Sequence, residues 1–173
     1  MSQTTRLRLL CRTALLCALL CVLSVITIPI GAVPITLGTL GVFLCGLLLP
    51  TQNACLAVLG YLLLGAVGLP VFSSMQGGIG ILFSVTGGFL WGYLPAVFVL
   101  SFFDRPHSRV FTAVGLGIAA LLLCYTCGTL QFCLVTSCSP KAALAACVLP
   151  FLPFDLCKLA AALYLRHRFR RHL

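Results

Sequence analysis

Charged side chains are scarce in this sequence, and their scarcity excludes a soluble globular domain. Only 8% of the 173 residues are charged and 61% are hydrophobic, whereas about a quarter of the residues are charged in a typical soluble domain. Glutamate is absent, and no charged residue or histidine occurs between Thr13 and Phe103. At about 20 residues per helical span, this apolar block must cross a lipid bilayer several times. The composition therefore predicts an all-α integral membrane protein.

Motifs for binding metals and nucleotides are also missing. The 11 cysteines are scattered through apolar segments, where cysteine behaves as a small hydrophobic residue. Cys124 and Cys127 form a C-x-x-C pair, but no second pair or histidine accompanies them at zinc spacing. The sequence has no G-x-x-x-x-G-K loop, so any ATP hydrolysis must come from another chain. We therefore expect no bound metal and no cofactor.

The net charge of +9 reflects membrane topology rather than nucleic-acid binding. The basic residues outside the apolar segments form three clusters: Arg6, Arg8 and Arg12; Arg105 and Arg109; and Arg166, Arg168, Arg170 and Arg171. Cytoplasmic flanks of membrane proteins carry such clusters. Six spans place all three clusters on the cytoplasmic side and leave only Lys141 in an outer loop, whereas five spans would misplace one terminal cluster. We therefore predict six spans with both termini in the cytoplasm.

The predicted spans form a single membrane domain over residues 1–173. Their approximate bounds are 10–28, 37–49, 54–68, 81–103, 110–135 and 153–170. Prolines mark several of the breaks, such as Pro29 and Pro34 after the first span and Pro50 after the second. The apolar character continues beyond the N-terminal region, so we interpret that region as the first span rather than as a cleaved signal.

Two charges interrupt the last apolar region, which reads PFLPFDLCK over residues 150–158. Removing a carboxylate or an ammonium group from water costs several kcal/mol unless it is paired. Pro150 and Pro153 cannot continue a helix, so the last span is expected to begin at about Pro153. Asp155 then lies in the first turn near the outer face, where the helix dipole stabilises it, and Lys158 lies on the same face. The pair predicts a ligand site; a structural ion pair, or a lysine that reaches outward, is the alternative.

The loop LPVFSSMQGGIG, residues 69–80, is a second candidate for the site. It combines hydrogen-bonding side chains, Ser73, Ser74 and Gln76, with glycines that let the backbone approach a ligand. Tyr61, in the preceding span, carries a hydroxyl that needs a partner if it faces the interior. An ordinary outer loop with turn residues is the alternative interpretation.

The first span carries two small residues, Ala14 and Ala18, on one face. Small side chains four residues apart let another helix approach closely. The pattern is common in membrane helices, so alone it is weak evidence for a docking face.

Four segments, taken together in their order and spacing, resemble the BioY family. They are residues 28–40 (IPIGAVPITLGTL), 61–72 (YLLLGAVGLPVF), 77–90 with its TGG core, and 150–158 followed by LAAAL. BioY proteins are the substrate-binding (S) components of energy-coupling factor (ECF) transporters that take up biotin. The resemblance implies a six-helix S component in the bacterial inner membrane. Such a component docks on a transmembrane coupling protein driven by two ATPase subunits.

The resemblance also implies roles for individual residues. Asp155 and Lys158 match the family's aspartate and lysine that contact biotin, and Ala14 and Ala18 match its docking face. Phe154 stands where the family has a glycine.

The loop after the third span contributes to the family's site, which adds Ser73, Ser74 and Gln76, and no catalytic residue is implied. The expected partners are therefore biotin, the coupling protein, the ATPase subunits and the lipid bilayer. Another vitamin such as thiamin or riboflavin, a membrane enzyme using the Asp/Lys pair, and an assembly protein are the alternatives.

Overall fold

Apolar segments of this kind satisfy their backbone hydrogen bonds internally by forming helices, and the described residues are predominantly helical. A computed structural model describes residues 3–29, 33–103 and 110–170 of the chain, with all of these side chains except 169 and 170. The helices are α1 (Gln3–Val25), α2 (Gly38–Leu48), α3 (Thr51–Ala66), α4 (Ile79–Leu82), α5 (Gly87–Phe103), α6 (Val110–Thr136), α7 (Pro140–Cys147) and α8 (Leu152–Arg170). The charged segment 104–109 and Arg171 lie outside the described residues.

Two of the described helices, α1 and α6, are long and apolar enough to cross a membrane by themselves. The helices α7 and α8 are bent by 51° at their break and would form a third crossing if the pair is one span. The remaining apolar helices of intermediate length are α2, α3 and α5. The helical fold class is thus confirmed, while the six crossings and their bounds stay predictions.

The first helix ends earlier than the sequence predicts. Helix α1 stops at Val25, and Thr27–Ile28 form the short strand β1, which pairs antiparallel with β2 (Ile35–Thr36). Pro29 explains the difference, because the residue before a proline is driven towards extended backbone. The resulting hairpin places Thr36 directly before the start of α2.

The predicted helix over 81–103 is divided in the structure. Helix α4 ends at Leu82 and α5 begins at Gly87. The side-chain amide of Gln131 donates to the carbonyls of Leu82 (2.9 Å) and Ser84 (2.8 Å), and the Trp91 indole donates to Leu82 at 3.1 Å. Non-helical backbone is tolerated at membrane depth where protein groups satisfy it, as they do here.

Helix α2 is short but is almost completely enclosed. Residues 41–47 are all buried, and α2 contacts α1, α3, α5 and α8. Its first residue, Gly38, is buried beside the hydroxyls of Ser24 and Tyr93. The beginning of this buried helix therefore lies against a group of polar side chains.

Helices α5 and α6 pack closely because glycines line their contact. A Cβ atom on Gly88 would lie 2.9 Å from Cα of Gly128, and one on Gly92 would lie 2.9 Å from Cα of Cys124. Membrane helices pack at small residues in this way, since lipid provides no hydrophobic force to hold them together. The approach of α5 to α6 carries Phe89 and Tyr93 towards Tyr125.

We predict that Gly92→Ala destabilises the protein. The new methyl group would overlap the α6 backbone at Cys124, and overpacking of this kind costs about 1–3 kcal/mol. Thermal unfolding in detergent should show a lower Tm than that of the unmodified chain.

Gly115→Ala is the matched control in α6, because a Cβ there meets no atom within 4 Å. Its Tm should be unchanged or slightly higher, since alanine favours the helix over glycine by about 0.5–1 kcal/mol. Equal Tm changes in the two variants would contradict the close packing of α5 on α6.

Candidate ligand-binding site

The start of α8 follows from the prolines that precede it. Helix α7 ends at Cys147, and the backbone N–H of Asp155 donates to the carbonyl of Phe151 at 2.9 Å as α8 forms. Pro153 lies in the first turn, where its missing N–H leaves no helical bond unmade. The structure therefore places Asp155 in the first turn of α8.

Asp155 and Lys158 form a buried ion pair. The Nζ atom of Lys158 lies 2.7 Å from Oδ1 of Asp155, and the two residues are 7% and 2% exposed, respectively. Their spacing of three residues places both side chains on the same face of α8. The lysine is bonded within the protein and does not extend outward.

The remaining donors of Lys158 are used by the segment around α2. Its Nζ atom donates to the carbonyl of Thr36 at 2.6 Å and to Oγ1 of Thr39 at 3.1 Å. With the bond to Asp155, three partners match the three N–H donors of an ammonium group. These bonds tie α8 to β2 and α2, more than 115 residues earlier in the chain (separations of 122 and 119).

Both oxygens of Asp155 also accept hydrogen bonds from hydroxyl groups. Thr39 donates to Oδ1 at 2.8 Å, and Tyr125 of α6 donates to Oδ2 at 2.6 Å. Hydrogen bonds to an ionised carboxylate are the strong ones. We call these five residues, Thr36, Thr39, Tyr125, Asp155 and Lys158, the polar network.

A small cavity adjoins the polar network. Its volume is about 50 Å³, which is room for a few water molecules at about 10–15 Å³ each. Besides the network, the cavity is lined by Ser24, Val33, Pro34, Tyr61, Ser73, Thr86, Phe89, Leu90, Tyr93, Cys124 and Phe151. Phe89 and Phe151 stack with ring centroids 6.4 Å apart. The site thus combines apolar aromatic walls with a charged, fully hydrogen-bonded end.

Tyr61, which the sequence predicts as a site residue, lines this cavity. It is 1% exposed, and its ring packs edge-on against Phe72 with centroids 5.5 Å apart. The ring centroid of Tyr93 lies 6.4 Å from that of Tyr61. The structure therefore brings Tyr61 to the same cavity as the ion pair.

The predicted loop residues divide between two cavities. Ser73 lines the inner cavity, whereas Ser74 and Gln76 are exposed and line an adjoining hollow of about 310 Å³. The two cavities share Pro34, Ser73 and Thr86. These three residues therefore form the partition between the inner site and the hollow.

The loop is anchored to α3 at Phe72. Phe72 is fully buried, and a Cβ on Gly65 would overlap its ring. Phe72 N–H donates to the carbonyl of Gln76 at 3.0 Å. Ser74 and Met75, between them, both have left-handed backbone (φ 57° and 58°), which non-glycine residues adopt only when the surroundings enforce it.

Phe154 lies beside Asp155 in the sequence but away from it in space. Its side chain is 44% exposed and does not line the cavity. The bulky ring therefore leaves the inner site open.

The proposed docking residues, Ala14 and Ala18, are both exposed on α1, so a partner helix could reach them.

Several residues of the site are absent from the sequence-based prediction. They are Ser24, Thr36, Thr39, Tyr93, Tyr125 and the aromatic pair Phe89 and Phe151. The one sequence signal for these residues is that each hydroxyl is a polar group in or next to an apolar helix. Which of these hydroxyls meet depends on helix packing, which the spacing of residues does not specify.

Comparison with known proteins agrees with this architecture. The model of the BioY family matches residues 1–173. The biotin transporter BioY of Thermotoga maritima is 34% identical over 165 residues, which cover 95% of this chain and 97% of the relative. The biotin transporter BioY of Rhodobacter capsulatus is 41% identical over 144 residues, covering 76% of each chain.

A solved structure, the S-component for biotin from an ECF-type ABC transporter, has the same fold. It superimposes with a TM-score of 0.90 at 26% identity and covers 99% of this chain and 95% of its own. Together with the match of the family model over the full sequence, these similarities show that this chain belongs to the BioY family.

Proposed function

We propose that this chain takes up biotin as the substrate-binding component of an ECF-type transporter. The observation that carries the proposal is the buried Asp155–Lys158 pair at the end of an aromatic cavity. The relatives named as biotin transporters and the likeness to a biotin S-component support the same ligand. Binding and transport need no bond-breaking chemistry in this chain.

The chemistry of the cavity suits biotin. The ureido group of biotin has two N–H donors and one carbonyl acceptor, which a carboxylate and an ammonium group can meet. Its thiophane ring and aliphatic chain need apolar walls, which Phe89, Leu90 and Phe151 provide. Biotin would replace hydrogen bonds that the members of the polar network already make with one another. The bonding groups are therefore held in position before the ligand binds.

The cavity must enlarge to admit the vitamin. A volume of about 50 Å³ holds only a few water molecules, at about 10–15 Å³ each. Pro34, in the connection between β1 and β2, and Ser73, in the loop after α3, lie between the cavity and the outer hollow. We propose that these two segments move apart to let biotin pass from the hollow to the polar network.

The distribution of charge supports an outward-facing site. Arginines lie at the beginning of α1 and at the end of α8, which favours cytoplasmic positions for both. Asp155 lies at the opposite end of α8, roughly 20 Å from Arg168 at a rise of 1.5 Å per residue. We propose six crossings of the bacterial inner membrane, with both termini inside and biotin captured from outside.

Transport would depend on partner subunits. The chain contains no loop of the G-x-x-x-x-G-K type, so the ATP-driven step belongs to two ATPase subunits coupled through a membrane protein. Ala14 and Ala18 are exposed on α1 and offer a surface on which a helix of the coupling protein packs closely.

Purified protein should bind biotin saturably, and it should not bind thiamin or riboflavin at the same concentrations. Asp155→Asn and Lys158→Met should each weaken biotin binding about tenfold or more, since hydrogen bonds to charged groups contribute roughly 1.5–3 kcal/mol. Equilibrium binding of labelled biotin measures both effects.

Lys141→Met is the control for loss of positive charge, because Lys141 is exposed on α7. Its affinity for biotin should equal that of the unmodified chain. Absence of saturable biotin binding would overturn the proposed function, and unchanged affinity in both site variants would overturn the site assignment.

Tyr125→Phe should lower both stability and affinity. It removes the 2.6 Å hydrogen bond to Oδ2 of Asp155 and leaves a buried carboxylate oxygen without that donor, which costs about 1–3 kcal/mol. Thermal unfolding without ligand and biotin binding of the same sample measure the two effects.

Tyr164→Phe provides the comparison, since Tyr164 is 68% exposed on α8 and does not line the cavity. It should leave Tm and affinity unchanged. Equal behaviour of the two variants would show that the Tyr125 hydroxyl does not support Asp155.

Ala14→Leu combined with Ala18→Leu should abolish co-purification with the coupling protein while biotin binding is retained. The added side chains would hold a partner helix away from α1. Affinity pull-down from membranes containing all subunits measures the loss.

Ala142→Leu combined with Ala146→Leu is the matched control, with the same spacing on exposed positions of α7. This variant should co-purify normally. Retention of the coupling protein by the α1 variant would remove these alanines from the docking surface.

A further inference from the structure

The cavity wall contains a buried serine hydroxyl that makes no hydrogen bond of normal geometry with any described residue. Ser24 lies in the last turn of α1, is 2% exposed and lines the inner cavity. No described residue completes a hydrogen bond with its Oγ atom. The hydroxyl of Tyr61 lies within reach of a weak hydrogen-bonding interaction with it, but the two groups form no hydrogen bond of normal length and angle.

Several other serine and threonine hydroxyls in the helices of this protein bond to a carbonyl of their own helix. The ordinary solution is a bond to the carbonyl four residues earlier. Thr13 donates in this way to Leu9 at 2.8 Å, and Ser101 donates to Val97 at 2.7 Å. Ser24 does not use that bond, so its hydroxyl keeps its donor and acceptor capacity for the cavity.

The surroundings of Ser24 are polar and close to the network. A Cβ atom on Gly38 would lie 2.8 Å from Oγ of Ser24 and 2.7 Å from the Tyr93 hydroxyl. Only glycine at position 38 leaves space for these hydroxyls. The same segment continues to Thr36, whose carbonyl accepts from Lys158.

The polar network differs from Ser24 in one respect. Lys158 uses all three donors and both oxygens of Asp155 accept hydrogen bonds within the protein. A ligand that bonds to these groups must replace existing hydrogen bonds, whereas a bond to Ser24 replaces no hydrogen bond of normal geometry among the described residues. A buried hydroxyl without a partner is unfavourable, so the ligand would relieve that cost when it binds.

We infer that the Ser24 hydroxyl is a specificity-determining group that hydrogen-bonds to the polar part of bound biotin. The inference rests on the proposed function, since it takes biotin as the ligand. It assigns to the end of α1 a direct contact with the ligand, in addition to the contacts from α8.

Ser24→Ala tests the inference through two measurements, the affinity for biotin and the Tm of the ligand-free protein. The affinity is expected to fall, whereas the Tm is not. Biotin affinity should fall roughly three- to tenfold, as expected for loss of one neutral hydrogen bond. The Tm of the ligand-free protein should stay the same or rise, because the variant removes an unpaired buried hydroxyl. Ser24→Cys keeps the size of the side chain but bonds weakly, so it should also weaken biotin binding, which a loss of packing alone would not do.

Ser101→Ala is the matched control, since Ser101 is a buried helical serine that bonds to its own helix and lies outside the cavity. It should leave biotin affinity unchanged. Unchanged affinity in Ser24→Ala, wild-type affinity in Ser24→Cys, or a lowered ligand-free Tm in Ser24→Ala would overturn the inference. Saturable biotin binding by the unmodified chain separates these outcomes from failure of the proposed function, in which that chain itself would not bind.

Discussion

The buried ion pair of Asp155 and Lys158 organises the ligand end of this protein. Asp155 and Lys158 are 2.7 Å apart and almost inaccessible to water, and desolvating two charges costs several kcal/mol each unless their bonding capacity is met. Three segments meet that requirement: β2 and α2 supply Thr36 and Thr39, and α6 supplies Tyr125. The pair therefore determines how these segments sit against the start of α8, and removing one partner would cost about 3–5 kcal/mol by leaving the other charge buried.

The rest of the fold is arranged so that these partners can meet. Gly88 and Gly92 let α5 approach α6, which brings Phe89 and Tyr93 to the cavity that Tyr125 lines. The break between α4 and α5 is stabilised by Gln131 and Trp91, so it needs no water at membrane depth. The close packing of α5 on α6 and the hydrogen bonds at the α4–α5 break thus both hold the cavity walls in place.

The sequence predicts the features that depend on neighbouring residues. Proline spacing predicts the start of α8 and the position of Asp155 in its first turn, and charge scarcity predicts a helical membrane protein. It does not predict that Tyr125 and Thr39 meet Asp155, because those contacts span 30 and 116 residues and depend on helix rotation. Nor does the sequence predict the division of the helix over 81–103, since the amide of Gln131 that satisfies the break lies 49 residues from Leu82.

The small volume of the inner cavity has a consequence for the membrane itself. A carrier that waits for a scarce vitamin spends most of its time empty, and an open polar channel through it would dissipate ion gradients. Here the charges of Asp155 and Lys158 cancel and the polar network is closed on itself. The cavity of about 50 Å³ has room for only a few water molecules, at about 10–15 Å³ each. The inner site therefore carries no net charge and has room for only a few water molecules, a combination that disfavours entry of an ion.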